Sequence, residues 1–371
     1  MDRSTADRNT VDHSAVHLSR ADRGTRVAPT KDREPVLISV YVPLLITMVI
    51  AVFAPRAAPL LAPRPAAWSL VSAALVASLG WLGSLALLAF AGLVQLPEVA
   101  EEGRWSVAAV RASDPVYLTV AAVAALTFLA SVTGLAVAAT RQLRHLRWAR
   151  RECRLLPGDT ELAVLDMELP EAFALPGAPG RIVVSRGMLR CLGDREREAL
   201  LAHERAHLRH RHHLFQTLWR LTAAVNPLLR PLSRAGGFVL ERWADEVAAV
   251  RVGDRTVVAQ AVGRAALATS ANRSRPVLAA TGGAVPQRVR ALLAPPPPRR
   301  ALPFVAGAAL LVMCCASLAD AATDSEQMIE TAQHAACLTA QAAATSAQPL
   351  IPPHGLCCAH ERPGPPPRHR H

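Results

Sequence analysis

The chain has 371 residues, enough for two domains, and 51% of them are hydrophobic, more than an ordinary soluble domain carries. Its formal net charge is +12, from 41 Lys and Arg against 29 Asp and Glu. No DNA-reading motif accompanies that charge and the arginines gather beside hydrophobic runs, so nucleic acid is set aside as a partner and a lipid bilayer is expected.

Met1 to Glu34 is polar, rich in Asp and Arg and without apolar periodicity, so a disordered tail is expected. It does not have the layout of a cleavable signal peptide, because the hydrophobic run starts late and no small-residue cleavage site follows. Pro35 to Ala54 is uncharged and long enough to span a bilayer. A short Pro-rich turn with Arg56 and Arg64 leads into Ala66 to Leu96, uncharged throughout and so long that it must tilt, kink near Gly80 to Gly83, or extend beyond the bilayer. A polar loop, Pro97 to Pro115, precedes a third span from Val116 to Thr140.

That third span runs directly into Arg141, Arg144, Arg147, Arg150, Arg151 and Arg154. Arginines packed against a span mark its cytoplasmic end, so the segment that follows is expected in the cytoplasm. Alternation then puts the Arg56/Arg64 turn inside and the N-terminus outside, against the basic residues Arg20, Arg23, Arg26, Lys31 and Arg33 of the leading tail. The denser cluster, abutting the membrane, decides the orientation. Leu302 to Ala319, after a Pro-rich basic linker from Ala294 to Arg300, reads as a fourth span. Ala321 to His371 is then an extracytoplasmic tail, expected to be disordered, in which Cys337, Cys357 and Cys358 meet an oxidising compartment.

Between the third and fourth spans the pattern changes. Glu161 to Asp166 reads as a short strand, and Ala172 to Leu175 with Arg181 to Ser185 as a hairpin around Pro176-Gly177-Ala178-Pro179-Gly180. Leu200 to Leu208 follows as an apolar helix with Asp194 placed to cap it. Leu214 to Leu232 is apolar but carries Arg220 and Arg230 and is broken at Pro227, which suits a helix packed under the site or lying at the interface better than a span. Gly236-Gly237 is expected to open the next helix, and Asp254 to Leu293 reads as further helix and loop.

On the first of these helices stands His203-Glu204-Arg205-Ala206-His207, followed 34 positions later by Glu241-Arg242-Trp243-Ala244-Asp245. Positions i and i+4 share one face of a helix, so His203 and His207 can aim ring nitrogens at one point. Two imidazoles held this way supply two of the three protein ligands of a catalytic zinc, one ion per chain. Glu204 stands where a carboxylate can take the proton of a metal-bound water. Glu241 is the candidate third ligand, and Asp245, one turn on, is a candidate acceptor for the outer N–H of a ligand histidine. The oxyanion helper is not selected by pattern, with His212 and Arg264 as candidates. A surface helix that is merely rich in His, Arg and Glu is the bland alternative, and the apolar flanks Leu200, Leu201, Ala202, Ala206 and Leu208 count against it.

Ala172-Phe173-Ala174-Leu175-Pro176-Gly177, Arg181-Ile182-Val183-Val184-Ser185, Gly187-Met188-Leu189, and Glu198 to Glu204 resemble the integral-membrane zinc metallopeptidases of the BlaR/MecR antirepressor type, relatives of the HtpX and CAAX-prenyl protease group. Asn226-Pro227 and Arg288-Val289-Arg290-Ala291-Leu292-Leu293 resemble the same family, closely over about Leu155 to Leu293. The resemblance implies Glu241 to Asp245 as the third-ligand motif and a substrate strand that adds to the sheet edge nearest the metal. Arg181, Ile182, Val183, Val184 and Ser185 are the candidate for that strand, with an ordinary core strand as the open alternative. It further implies cleavage of a cytoplasmic repressor after a signal reaches an outer sensor. Only the 51 residues from Ala321 follow the fourth span, so β-lactam sensing is not expected of this chain.

The expected fold is therefore mainly α and integral to the membrane: four transmembrane helices (three within 35–140, the fourth at 301–320) and, over 141–300, a zincin-like α+β domain with a small β-sheet. The expected function is a zinc endopeptidase acting on a protein or peptide substrate. A quality-control protease of the HtpX kind and a non-catalytic protein stabilised by zinc stand beside it. The pattern sets no oligomeric state.

Overall fold

The structure, a computed structural model, describes residues 36–113, 116–158, 160–271, 284–295 and 302–347. The expected tail 1–34 and the residues beyond 347, including Cys357 and Cys358, lie outside the described residues. Among the described residues four helices are long and apolar enough to cross a membrane, at Ser39–Leu60, Pro63–Leu93, Leu118–Leu155 and Phe304–Ala344.

Helix α1 (Val36–Ala57) ends in a 3-10 turn over Ala58–Leu60, and α2 (Pro63–Leu93) starts on two prolines, which fit the first turn of a helix because their missing N–H has no partner there. At about 1.5 Å per residue α2 reaches about 46 Å, well past a bilayer core. It carries on through Gly80 and Gly83 without a break. The absent side chains there are filled by Cys314 and Leu318 of the last helix, so these glycines serve close approach of two helices. Two short helices, α3 (Pro97–Gly103) and α4 (Val107–Ser113), make the loop before α5 (Leu118–Leu155). Helix α5 is one continuous rod that carries the arginine cluster out of its apolar part, as the sequence leads one to expect.

The sheet has three strands, β1 (Leu162–Leu165), β2 (Ala172–Leu175) and β3 (Arg181–Ser185), in the order β1-β3-β2. β1 pairs with β3 in parallel and β2 with β3 antiparallel. β3 is thus the central strand, and all five of its residues are buried. Seven further helices follow: α6 (Arg186–Cys191), α7 (Asp194–Arg209), α8 (His212–Val225), α9 (Arg230–Val252), α10 (Arg255–Ala271), α11 (Ala284–Leu293) and α12 (Leu302–Ala347).

Two boundaries differ from the sequence reading. α9 starts at Arg230, ahead of Gly236-Gly237, because Asn226 Oδ1 accepts from Leu228 N–H at 3.0 Å and Pro227 and Pro231 nucleate the turn and helix that follow. Gly236 lies inside the helix, where the Trp219 ring leaves no room for a Cβ. The second difference is larger. The region from Ala321 onward, expected to be disordered, continues as helix to Ala347. Alanine is the best helix former and this stretch is full of it. Met328 and Ala332 also pack on Val94 and Val110, and Gln333 Nε2 donates to Gly103 O at 3.2 Å, so α12 is held against the α3–α4 loop.

The packing does not follow the expected boundary at Arg141. One buried cluster joins Ile46, Ile50, Ala66, Leu70 and Ala74 of α1 and α2 to Phe215 and Trp219 of α8 and Leu232, Val239, Leu240 and Trp243 of α9. Trp68 of α2 meets Phe215 edge-on at 4.9 Å between ring centroids. The soluble-looking helices that carry the candidate site therefore share a core with the first two apolar helices.

Candidate metal centre

Helix α7 is set up locally by its N-terminus. Gly193 is the N-cap and its N–H donates to Glu196 Oε2 at 2.9 Å, while the same oxygen accepts from Arg264 at 2.8 Å. The cap expected at Asp194 is therefore one residue early, and Asp194 pairs with Arg197 inside the first turn. Arg264, an oxyanion candidate, is spent on anchoring Glu196. With its start fixed, α7 turns Ala199, Ala202 and Ala206 inward onto α9 and α10, and His203 and Glu204 are buried with them.

Three residues form a triangle of donor groups between α7 and α9. His203 Nε2 and His207 Nε2 are 3.1 Å apart, and the two Glu241 oxygens lie 3.5 Å from one ring nitrogen each. Donor atoms about 2.0–2.2 Å from a tetrahedral zinc stand roughly 3.3–3.6 Å from one another, and the separations of 3.1 Å between the rings and 3.5 Å from each ring to its nearer carboxylate oxygen are close to that spacing. The i, i+4 pair does what its spacing predicts, and α9 brings in the carboxylate that sequence alone placed only by its motif. His203, His207 and Glu241 form a group able to hold a metal ion.

Behind the triangle lies a second ring of charge. His203 Nδ1 is 3.0 Å from Asp245 Oδ1, although that ring N–H falls short of hydrogen-bond alignment. Asp245 is 1% exposed and is gripped in bidentate fashion by Arg288, with Nε to Oδ2 at 2.8 Å and Nη2 to Oδ1 at 2.6 Å. The remaining arm of the guanidinium, Nη1, lies 3.0 Å from Glu241 Oε2. Arg288 thus ties the third candidate ligand to the carboxylate behind the first. Sequence reasoning noted its segment without giving this residue a role. Its only sequence signal is a cation on an amphipathic helix, 43 positions from Asp245.

These contacts set the protonation of the metal-free site. Burial alone pulls His203 down, but the Asp245 and Glu241 carboxylates outweigh it and lift the ring to about 10. His207 falls to about 4 through burial and the neighbouring His203 charge. For Glu241, burial is overcome by His203, Arg288 and His207, which hold its carboxyl down to about 2. Glu204 moves the other way: burial raises its carboxyl above the ordinary range, against the pull of His203. Asp245 is held below it by Arg288 and His203 despite its burial. His212, the second oxyanion candidate, packs against His207 with its Nδ1 2.9 Å from that ring's Nδ1.

A cavity of about 530 Å³ opens beside the triangle, between Phe173 of β2 and Val258, Ala261 and Ala265 of α10. Its wall corrects the expected substrate strand. Arg181 to Ser185 has a partner strand on each side, so no edge of it is open to an added chain. Arg181 gives its guanidinium to the Leu156, Pro157 and Thr160 carbonyls at 2.7–2.9 Å, and Ser185 Oγ caps α6 through Met188 N–H. Both are structural. The edge strand beside the site is β2. Ser185 N–H donates to Glu171 O at 2.9 Å, so the alternate residues Ala172 and Ala174 turn their backbone groups outward. The Ala174 backbone reaches the Glu204 carboxylate, which fixes β2 against the helix of the motif.

Residues 146–223 match the family model described as Peptidase family M48. The match takes in the sheet, the motif helix and α8, and together with four apolar helices it points to a membrane-associated metallopeptidase. It does not reach the antirepressor subtype. No curated protein and no solved structure matches the chain.

Proposed function

We propose that the chain is a membrane-embedded zinc endopeptidase, with His203, His207 and Glu241 as the ligands of one zinc and Glu204 as the general base. The observation that carries this reading is the convergence of His203 and His207 Nε2, 3.1 Å apart, with the Glu241 carboxylate, one oxygen 3.5 Å from each ring, beside the buried carboxylate of Glu204. Held by His203, His207 and Glu241, a zinc ion would supply a Lewis acid for the scissile carbonyl and a lowered pKa for the attacking water. Glu204 takes the proton of that water and returns it to the departing amine, a task suited to a carboxyl raised by burial. The substrate lies extended against β2, bonded to the backbone groups of Ala172 and to the Ala174 carbonyl, with a side chain in the cavity of Phe173 and α10. A structural zinc protein has no use for a buried base beside its metal.

The active site faces the cytoplasm of a bacterial cell in this reading. The arginines from Arg141 to Arg154 mark that side, and the α1–α2 turn lies at the same end of the molecule as the site, since Arg242 Nη1 donates to Pro59 O at 2.9 Å. The antirepressor resemblance makes a cytoplasmic regulatory protein the substrate to test first. The deciding experiment is metal analysis of the purified full chain with proteolysis of an unfolded protein by wild type and Glu204→Gln. Wild type should hold one zinc and cleave, while Glu204→Gln should hold zinc and not cleave. Equal cleavage by both removes Glu204 from the mechanism.

A further inference from the structure

His207 and His212 touch through the same type of atom. Their Nδ1 nitrogens are 2.9 Å apart and the rings stand edge to face, 4.8 Å between centroids at 86°. Two neutral imidazole nitrogens at that distance share a single hydrogen, so one ring donates and the other accepts. Which does which follows from the other end of His207. Its Nε2 converges with His203 Nε2 and Glu241, and a ligand nitrogen must be bare. The proton of His207 therefore sits on Nδ1, and His212 Nδ1 is the acceptor.

The remaining proton of His212 is then on Nε2. That atom is buried with no hydrogen-bond partner, and the ring, 1% exposed, lies 4.8 Å from the Trp243 ring and edge-on to Phe215. An imidazole kept in such surroundings with one nitrogen orphaned is retained for what its other nitrogen does.

We propose that His212 is a positioning residue for the candidate metal centre: as a neutral acceptor it fixes the Nδ1–H tautomer of His207 and so points His207 Nε2 at the ion. The two ligand histidines are then backed differently. His203 stands against the Asp245 carboxylate, whereas His207 leans on an uncharged ring. This removes His212 from oxyanion duty, because its Nδ1 is occupied and its Nε2 faces an aromatic wall.

The inference rests on the zinc reading, and its test separates the two. Full-length wild type, His212→Asn and His212→Leu are purified metal-free, and zinc affinity is measured by chelator competition, with the visible spectrum of the cobalt(II) form as a second readout. The Asn side chain offers an acceptor oxygen near the lost Nδ1 and should keep the affinity and the spectrum near wild type. Leu fills the space without accepting and should weaken zinc roughly ten- to a hundredfold, as lost outer partners of a ligand histidine do, with an altered cobalt spectrum. Equal affinity in wild type and His212→Leu, or equal losses in both variants, overturns the acceptor role alone. A wild type that takes up no metal overturns the zinc reading and this assignment with it.

Discussion

Replacing Arg288 by Met removes the guanidinium that ties two carboxylates of the site together. In the metal-free protein Asp245 would keep only its imperfect contact with His203, at 1% exposure. The Arg288 side chain is 12% exposed and its partner Asp245 2%, so the pair is buried and solvent screening offers little discount. Breaking such a pair by deleting one partner costs about 3–5 kcal/mol, because the buried carboxylate is left with His203 alone to offset its charge. With roughly 2–4 °C of melting temperature per kcal/mol for a fold of this size, Arg288→Met should melt roughly 6–20 °C below wild type without metal. Bound zinc places two positive charges on the same carboxylates, so the deficit should shrink when the metal is added. Arg288→Lys keeps the charge but not the bidentate fork and should fall between. The assay is thermal unfolding in one detergent, with chelator and with zinc. A metal-free Arg288→Met that melts within about 2 °C of wild type would refute the reasoning, since no buried pair of this kind is that cheap to break.

Zinc binding should expel about one proton near pH 7.5, because His203 with a pKa of about 10 enters the site charged while His207 and Glu241 are already in their metal-binding forms. Calorimetry in buffers of differing ionisation heat reads that number; Asp245→Asn should lower it and weaken zinc roughly ten- to a hundredfold, and no proton release in wild type would remove the charged His203. The same raised pKa stabilises the metal-free fold fully below pH 6.5 and is lost as pH rises through about 10, which a pH series of chelated melts will show. Ala172→Pro removes one outward N–H from the edge strand without touching the β3 ladder, so kcat/KM should drop roughly three- to tenfold at unchanged zinc content, the worth of one backbone hydrogen bond. If kcat/KM is unmoved, substrate does not add to β2. For orientation, Arg251→Cys on α9 should be labelled by an impermeant maleimide only after the cell is opened, and Glu326→Cys on α12 in intact cells, both in a background without other cysteines; the reverse pattern inverts the topology.

Those elements whose pattern is local could be read from sequence. The four apolar runs became four long helices, and the i, i+4 histidines share a face of α7, because helical periodicity is a property of neighbours along the chain. What stayed open depends on partners far away. Ile182-Val183-Val184 is an unbroken apolar run, which marks a strand covered on both faces and hence a central one, and of the two readings open in sequence the core strand is the one it adopts. The shorter β2, bounded by Pro170 and Pro176, carried the edge signal, since prolines are tolerated at sheet margins. Arg288 was legible only as part of a segment that resembles the family, without a role, and the pairing of His207 with His212 was not legible at all. A guanidinium that closes on carboxylates two helices away looks, in sequence, like any basic residue on an amphipathic helix.

The residues next to Glu241 carry a practical consequence. Arg242 is hooked onto the Pro59 carbonyl of the α1–α2 turn, and the Arg64 guanidinium sits 6.0 Å over the Trp243 ring. A protein cut at Arg141 to yield a tidy soluble peptidase would strip the back of α9, leaving Leu232, Val239, Leu240 and Trp243 bare and the Arg242 side chain with nothing to hold. The peptidase and its anchor are in this sense a single casting. Neither half can be lent to another protein, and an engineer who wants this catalyst in solution must redesign its α9 face before removing the membrane.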